Sequence, residues 1–393
     1  MDENKTIQEL LTRGVEEVID QKHLESVLLS GKKLRVKLGI DPTSPNIHIG
    51  RAMLLWKLRE FQDLGHQVIF IVGDFTGQIG DTSDKESERP MLSGEQVKKN
   101  MKTYFKQAFK ILDKNKTETY YNSKWLKKLG LLELSRMADK FGLHEFSSRD
   151  LIKRRMDTGK RVSLRELLYP LMQGYDSVAV KADVELGGRD QRFNLLAGRS
   201  IQPLYGQDPQ DIIITKFPLE GLDGRKMSSS WGNVINITDK PDDMFGKIMS
   251  INDNLIIKYF QLATRIPNVD VEEYKKQLET KTNPKNIKIK LAFELVRMYH
   301  GEEGAKKSQE EFDRVFSKKE LPRGIKEWRL KKEGNSIVDA LTESGTVASK
   351  TEAKRLIDQR AIKINSSIIK SWGYKVKMGD VIKVGSRKFL KIV

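Results

Sequence analysis

A strand–helix–strand pattern near the amino terminus restricts the fold of this chain more than any other feature. RVKLGI (35–40) and QVIFIVGDF (67–75) are apolar runs typical of buried strands, and residues 48–64 have the spacing of an amphipathic helix that stops at Gly65. A strand, a helix and a strand within about forty residues are typical of a right-handed βαβ unit. Together with the strand-like DIIIT (211–215), the pattern predicts an α/β fold built on a parallel sheet.

The remaining segments differ in character. Residues 1–30 and 242–318 have apolar side chains at helical spacing, GLDGRKMSSSWGN (221–233) has the Gly and Ser content of a loop, and EWRLKKEGN (327–335) resembles a linker. Residues 336–393 carry 12 Lys and Arg against 5 Asp and Glu, a net charge of +7. A small basic module of this kind favours a nucleic-acid partner.

Composition excludes several classes of protein. The 393-residue chain has no Cys, which excludes disulfides, thiolate nucleophiles and thiolate zinc sites. Its five His lack metal-ligand spacing and GxSxG is missing, so we expect no bound metal, no metallohydrolase and no serine hydrolase. The amino terminus lacks signal-peptide features, and no apolar run approaches the roughly 20 residues that span a bilayer. We expect a cytoplasmic protein without membrane contact.

DPTSPNIHIGR (41–51) has the composition of a polyphosphate-binding loop. Pro42 and Pro45 stiffen it, Gly50 allows close backbone approach, and the following helix would present its amino-terminal amides to phosphate. His48 can donate a hydrogen bond at that point. Taken alone the stretch is a weak signal, because a single His near a helix start is more often structural.

GRKMSSS (224–230) is a second candidate phosphate-binding loop. It is flanked by Gly and combines two cations with three hydroxyls, which suits a loop that closes over a pyrophosphate as charge develops. By itself it could equally be a solvated Ser-rich loop. The combination of HIG beside the first predicted sheet strand and KMSSS about 180 residues later is far more specific.

With these two motifs, HIG and KMSSS, the chain resembles the class I aminoacyl-tRNA synthetases, whose two signatures are HIGH and KMSKS. IVGDFTGQIGDTSDKESER (71–89) and LYPLMQGYDSVAVKADVELGGRDQRFN (168–194) are similar to bacterial tyrosyl-tRNA synthetases of the branch with KLG near the first signature. SGTVASKTEAKRLIDQRAIKIN (344–365) resembles the RNA-binding fold of ribosomal protein S4. The similarity covers nearly the whole chain.

The resemblance implies three domains and a two-step reaction. Residues 1–240 would form a class I Rossmann-like catalytic domain with a homodimer interface around 125–165, residues 241–330 an α-helical domain for the anticodon arm, and residues 336–393 a small α+β S4-like domain. The expected enzyme uses ATP, accompanied by Mg²⁺, to convert L-tyrosine to tyrosyl-adenylate. It then transfers tyrosine to the 3′-terminal adenosine of tRNA(Tyr).

A row of polar residues in the predicted helix after residue 163 could hold the amino acid. Tyr169, Gln173 and Asp176 fall at i, i+4 and i+7, on one helix face. Tyr169 and Gln173 would face the ammonium group, and Asp176 would accept from the phenol. The candidate tyrosine-binding residues are Lys37, Asp81, Tyr169, Gln173, Asp176 and Gln191. Because Lys37 stands where many members of the family have Tyr, Asp176 is left to carry the hydroxyl contact alone or with help from Lys37.

The candidate catalytic residues are His48, Arg51 and Lys226. Arg51 replaces the second His of the first signature. It either stabilises the ATP phosphates or turns to solvent and leaves this role to His48. The candidate ATP-binding residues are Gly39, Asp41, Thr43, Gly50, Gly188, Asp190, Met227 and Ser229, the last in place of the second Lys of KMSKS.

Basic side chains are candidates for tRNA contacts, with a solvated charged surface as the alternative for each. The candidates are Lys85, Arg89, Lys350, Lys354, Arg355, Arg360 and Lys363. Two rival functions remain open. A synthetase paralogue weakened in activation by Arg51 would act only as an RNA-binding protein, and a related enzyme would charge tryptophan, which Asp176 and the S4-like tail disfavour.

Overall fold

The computed structural model describes residues 3–81, 90–216, 218–280, 282–317, 325–330, 334–385 and 388–393. Contacts divide the chain into two compact units, Met1–Lys240 with Lys247–Gly301 and Pro241–Gly246 with Glu302–Val393. The division into three domains at residues 240 and 330 stays a prediction. No helix among these residues is long and apolar enough to cross a membrane.

The strands are β1 (Val15–Ile19), β2 (Arg35–Ile40), β3 (Gln67–Val72), β4 (Thr117–Tyr121), β5 (Val184–Gly188), β6 (Asp211–Thr215), β7 (Lys326–Trp328), β8 (Ile362–Ile364), β9 (Ser367–Ile368), β10 (Val381–Val384) and β11 (Lys388–Ile392). The α-helices are α1 (Glu3–Thr12), α2 (Gln21–Leu29), α3 (Ile49–Asp63), α4 (Thr76–Ile79), α5 (Gly94–Met101), α6 (Tyr104–Ala108), α7 (Ser123–Leu126), α8 (Leu131–Ala138), α9 (Leu143–Ser147), α10 (Asp150–Asp157), α11 (Leu164–Val180), α12 (Arg192–Ile201), α13 (Pro241–Met249), α14 (Ile256–Ala263), α15 (Asn268–Glu279), α16 (Pro284–Phe312), α17 (Ile337–Glu343) and α18 (Lys350–Asp358).

The first unit is built around a six-stranded sheet in the order β1-β6-β5-β2-β3-β4. β2 pairs in parallel with β3 and β5, and the parallel arrangement continues to β4 and β6. α3 connects β2 to β3, so the predicted strand–helix–strand unit and its parallel sheet are confirmed. β3, β5 and β6 are almost entirely buried, which explains the apolar runs that β3 and β6 show in the sequence.

The helical pattern predicted over residues 1–30 is wrong at Val15–Ile19, which forms the edge strand β1. Gly14 has a φ of 65°, and β1 then pairs antiparallel with β6 through Val18 and Ile213. Val15 and Val18 are three residues apart, which also fits a helix face. Residues 15–19 form a strand because they pair with β6, which lies about 200 residues away in the chain.

The second unit contains a five-stranded sheet in the order β7-β11-β10-β8-β9, with α17 and α18 in the same unit. Its core includes Ile337, Leu341, Ile382 and Leu390. The linker predicted at 327–335 is wrong in its first residues. β7 pairs in parallel with β11, and Trp328 is buried in the core.

Candidate active site

A cleft that is open to solvent and has a cavity volume of about 160 Å³ lies at the carboxyl ends of β2 and β5. Gly39 and Ile40 line it at the end of β2, and Gly187 and Gly188 at the end of β5. β2 is the strand from which the sheet grows in both directions, toward β3 on one side and β5 on the other. Ligands of open parallel sheets bind at such a point, outside the carboxyl ends of the strands.

Most of the predicted site residues meet in this cleft. Its lining includes Gly39, Asp41, Thr43, Arg51, Asp81, Tyr169, Gln173, Asp176, Gly188, Asp190 and Gln191. Four carboxylates and one guanidinium therefore face a common space. Lys37, His48, Gly50, Lys226, Met227 and Ser229 lie outside this lining and are described below.

α11 presents the predicted row of polar side chains to the cleft. At the start of the helix, the carbonyl oxygen of Ser163 accepts from the backbone N–H of Glu166, and the backbone N–H of Ser163 donates to Glu166 Oε1 over 2.9 Å. Tyr169, Gln173 and Asp176 all lie within α11 and all line the cleft. The expectation that they share one helix face is confirmed.

One end of the cleft is built around Asp41 and Tyr169. The Tyr169 hydroxyl donates to Asp41 Oδ2 over 2.8 Å, and the Thr76 hydroxyl donates to Asp41 Oδ1 over 2.7 Å. Gly73 makes this possible, because a Cβ there would lie 2.0 Å from Asp41 Oδ1. The predicted strand 67–75 is too long, because β3 ends at Val72, the residue before Gly73.

Negative charge accumulates at this end. Burial raises the pKa of Tyr169 well above its usual value, and the carboxylates of Asp41 and Asp81 raise it further. Gln191 Nε2 donates to Asp81 Oδ2 over 2.7 Å, which holds the Asp81 side chain in place. A cationic group of a ligand would be stabilised here.

Asp176 occupies a different, drier position in the cleft. Its carboxylate accepts from Trp125 Nε1 over 2.7 Å and from Asn122 Nδ2 over 3.2 Å. Burial raises the pKa of Asp176 to about 7, partly offset by the positive charge of Lys37. Asn122 and Trp125 are not among the site residues that the sequence predicts. Asn122 directly follows β4, a strand that the sequence did not reveal, and the residue after a parallel strand is where such a side chain is expected.

Lys37 is buried behind the cleft. Its Nζ lies 3.0 Å from a carboxylate oxygen of Glu185 and donates to the Ser177 hydroxyl over 2.7 Å. β2 and β5 place Lys37 and Glu185 opposite each other in the sheet register.

His48 is the amino-terminal cap of α3. Its Nδ1 accepts from the backbone N–H of Arg51 over 3.3 Å, so the ring donates from Nε2. Burial, together with the positive charges of Arg51 and Lys226, lowers the pKa of His48 to about 3. The imidazole is therefore neutral at physiological pH. Gly50 lies beside it in the first turn, where a Cβ would come within 3.1 Å of His48 Nδ1.

The side chain of Arg51 lines the cleft. Its Nη2 donates to the Thr43 hydroxyl over 2.9 Å, and its Nη1 lies 3.5 Å from the Tyr104 hydroxyl. Tyr104 is fully buried and donates to the backbone oxygen of Ser44. The guanidinium is thus held at the mouth of the cleft by the loop in which its own motif begins.

The two candidate phosphate-binding loops, 41–51 and 224–230, lie beside each other. The hydroxyl of Ser229 lies 3.1 Å from that of Ser44, which joins the second motif to the first. Asn233 holds the second loop by donating to the backbone oxygen of Lys226 and accepting from the backbone N–H of Ser228. Met227 is buried beneath it. Lys226 lines an adjacent groove, which it shares with Arg149, Arg189, Arg192 and Phe193.

The structure describes five of the seven candidate tRNA-binding residues. Lys85 and Arg89 lie outside the described residues. Lys350, Lys354 and Arg355 are exposed on α18, and Arg360 and Lys363 are exposed just after it. Lys350 pairs with Asp339, and the Lys354 ammonium lies 4.9 Å from the centre of the Trp372 ring.

Family models identify the class of protein that this fold and site represent. The model for tRNA synthetases class I (W and Y) matches residues 29–317, more than half of the chain, and the model for the S4 domain matches residues 337–382. The chain therefore belongs to the class I tRNA synthetases. The predicted class I α/β fold followed by an S4 domain is confirmed.

Relatives of similar length narrow the family. The tyrosine–tRNA ligase of Thermotoga maritima is 48% identical over 387 residues, which cover 98% of this chain and 96% of the relative. The tyrosine–tRNA ligase of Carboxydothermus hydrogenoformans is 46% identical, and the alignment covers 100% of this chain and 99% of the relative. The tyrosine–tRNA ligase 2 of Clostridium acetobutylicum is 44% identical, and the alignment covers 98% of this chain and 97% of the relative. Within its class, the family of this chain is that of the bacterial tyrosyl-tRNA synthetases.

Solved structures share the fold. A carboxy-terminally truncated mitochondrial tyrosyl-tRNA synthetase of Aspergillus nidulans has a TM-score of 0.67 at 21% identity, with 80% of this chain and 94% of that chain covered. A tyrosyl-tRNA synthetase of Archaeoglobus fulgidus complexed with L-tyrosine has a TM-score of 0.62 at 24% identity, with 78% and 100% covered. At these identities the likeness concerns the fold alone.

Proposed function

We propose that this chain is a tyrosine–tRNA ligase that converts L-tyrosine and ATP to tyrosyl-adenylate and pyrophosphate, then transfers tyrosine to the 3′-terminal adenosine of tRNA(Tyr). One observation carries the proposal. The row formed by Tyr169, Gln173 and Asp176 lines a cleft at the carboxyl ends of β2 and β5, with the first signature motif at its mouth. The family membership supports the same reaction.

The cleft suits tyrosine in one orientation. The phenol donates to Asp176, the buried acceptor, and the ammonium group lies among Tyr169, Asp81 and Gln173 at the negatively charged end. Gln191 holds Asp81 for this contact. The substrate carboxylate is then free to react.

Activation requires stabilisation of phosphate charge and little covalent chemistry from the protein. A carboxylate oxygen of tyrosine attacks the α-phosphorus, and the bond to the bridging oxygen breaks with its electrons leaving on pyrophosphate. Neutral His48 donates from Nε2, while Arg51 and Lys226 supply positive charge. Gly39 and Gly188 admit the nucleotide close to the strand ends, with Asp41, Thr43, Gly50, Asp190, Met227 and Ser229 shaping its site.

Mg²⁺ enters with ATP as the counter-ion of its phosphates. Among the described residues, no group of three or more His, Asp or Glu side chains could hold a metal ion. ATP itself therefore supplies the ligands of the ion in this proposal.

Tyrosine-dependent ATP–pyrophosphate exchange tests the proposal. We expect exchange with tyrosine and none with tryptophan or phenylalanine, in the native protein and in Arg51→His. An inactive native protein with a recovered Arg51→His variant would identify an RNA-binding paralogue. Exchange with tryptophan alone would identify a tryptophan enzyme.

Tyrosine use is expected to fall as the pH drops below about 7. Burial raises the pKa of Asp176 to about 7, and a protonated carboxyl group is an uncharged, weaker acceptor that carries a donor proton of its own toward the phenol. kcat/KM for tyrosine should therefore fall about tenfold per pH unit below this pKa and level off above it. Exchange assays from about pH 5.5 to about 8.5 measure this profile. An identical profile in Asp176→Asn would contradict the assignment.

The exposed basic face of α18 is expected to bind tRNA. Lys354→Glu with Arg355→Glu should raise KM for tRNA in aminoacylation at least about tenfold, reduce the salt dependence of binding, and leave exchange unchanged. Lys22→Glu reverses a single exposed charge on α2 and is the control, so its effect is compared with half of the effect of the double variant. Equal effects per reversed charge in the control and the double variant would show a loss of general charge attraction only.

A homodimer is expected through the segment around residues 125–165. Leu131, Leu132 and Leu164 expose 80%, 70% and 79% of their surface there, which is unusual for large apolar side chains that cluster in one segment. Light scattering should give twice the 45.1 kDa chain mass for the native protein. Leu131→Asp with Leu132→Asp should give monomers, and Leu29→Asp, at another exposed Leu, should not. A native monomer would exclude the dimer.

A further inference from the structure

Lys37 and Glu185 form an ion pair that is sealed behind the cleft. Each is 1% exposed, their charged atoms lie 3.0 Å apart, and neither lines the cleft. Buried ion pairs contribute little net stability, since desolvation offsets their attraction and apolar replacements are often as stable. Stability alone is therefore a weak reason for two charges at this place.

Glu185 contacts the tyrosine-binding row from behind. Its Oε1 accepts from Gln173 Nε2 over 3.1 Å, and its Oε2 accepts from the hydroxyl of Ser177 and from Gln210 Nε2. A primary amide has one donor end and one acceptor end. Glu185 engages the donor end of Gln173, so that the acceptor oxygen is the end left for a ligand in the cleft.

Lys37 balances the charge of this carboxylate and contacts the same two residues of α11. Its Nζ donates to the backbone oxygen of Gln173 over 3.2 Å and to Ser177 over 2.7 Å. Asp176 lies between these two residues in the chain. Its charged and titratable neighbours are Lys37 from β2, Glu185 from β5 and Tyr169 from α11 itself.

We propose that Lys37 and Glu185 are a positioning pair for tyrosine: Glu185 turns the carbonyl oxygen of Gln173 toward the substrate ammonium, and Lys37 cancels the charge of Glu185 beside Asp176. Neither residue touches the substrate. The inference rests on the proposed function. The positive charge of Lys37 lowers the pKa of Asp176 while Glu185 raises it, so each charge offsets the effect of the other on the phenol acceptor.

Two single variants should move the pH profile of kcat/KM for tyrosine in opposite directions. Lys37→Met leaves an uncompensated carboxylate and should raise the apparent pKa by about one unit or more, and Glu185→Gln leaves an uncompensated ammonium and should lower it. Lys37→Met with Glu185→Gln is neutral and should return the profile close to the native one. If a lone buried charge prevents a single variant from folding, the double variant can still be measured, because it contains no unpaired charge at this place.

A binding measurement separates the ammonium end from the phenol end. At about pH 8, Glu185→Gln should weaken tyrosine binding about tenfold, because the Gln173 amide loses its fixed orientation. Hydroxyphenylpropionate, which is tyrosine without its amino group, should bind the native protein and this variant equally. Equal losses for both ligands would overturn the proposal.

Other outcomes would also overturn it. Unmoved pH profiles with a lowered melting temperature would make the pair merely structural. Acceptance of phenylalanine by Lys37→Met with an unmoved profile would mean that Lys37 contacts the substrate hydroxyl directly. The native protein in the same assays reports on the proposed function separately: native exchange with tyrosine supports that function even where the variants contradict the pair.

Discussion

Replacing Asp176 by Asn is expected to lower kcat/KM for tyrosine in the exchange reaction by about 10³-fold. The variant loses a hydrogen bond to a charged acceptor, worth about 1.5–3 kcal/mol, and leaves buried donors poorly paired at about 1–3 kcal/mol. Trp125 and Asn122 are those donors. Each 1.4 kcal/mol corresponds to about a factor of ten in rate.

The same substitution should reduce the discrimination against phenylalanine. A site built to bind a substrate hydroxyl rejects the analogue without it by about 10⁴–10⁵-fold, a range for which tyrosyl-tRNA synthetases are themselves the standard example. Exchange with tyrosine and with phenylalanine measures the ratio. Asp208→Asn, at an exposed carboxylate, is the control. An unchanged ratio in Asp176→Asn would place the phenol elsewhere.

Replacing Arg51 by Ala is expected to lower kcat of exchange by about 10²–10³-fold with little change in KM for tyrosine. The effect is that of removing one preorganised donor from charge that develops in the transition state. Thr43 and Tyr104 hold the guanidinium at the cleft, so little reorganisation is needed when ATP reacts. Arg51→His should retain most of the activity.

A matched control lies on the same helix. Arg59→Ala removes a guanidinium from α3 two turns beyond Arg51, where it pairs with Asp63 away from the cleft lining. We expect native kcat in this variant. Native kcat in Arg51→Ala would instead mean that His48 and Lys226 supply the stabilisation without Arg51.

Local patterns in the sequence predicted the parts that depend on local physics. The strand–helix–strand unit follows from apolar periodicity, and the polar row of α11 follows from the 3.6-residue turn, so both were predictable. The edge strand β1 was missed because its apolar spacing also fits a helix. β4 was missed as well, and Asn122 and Trp125, which bind Asp176, were missed with it.

The sequence by itself therefore determined the family, the two candidate phosphate-binding loops and most of the residues of the cleft. Tertiary structure decided their partners. Lys37 illustrates the difference: its position in the motif made it a candidate contact for the substrate, but the pairing of β2 with β5 turns it onto Glu185, 148 residues away. Hydrogen bonds across such separations depend on strand register and on the direction of each side chain, and neither is encoded in local spacing.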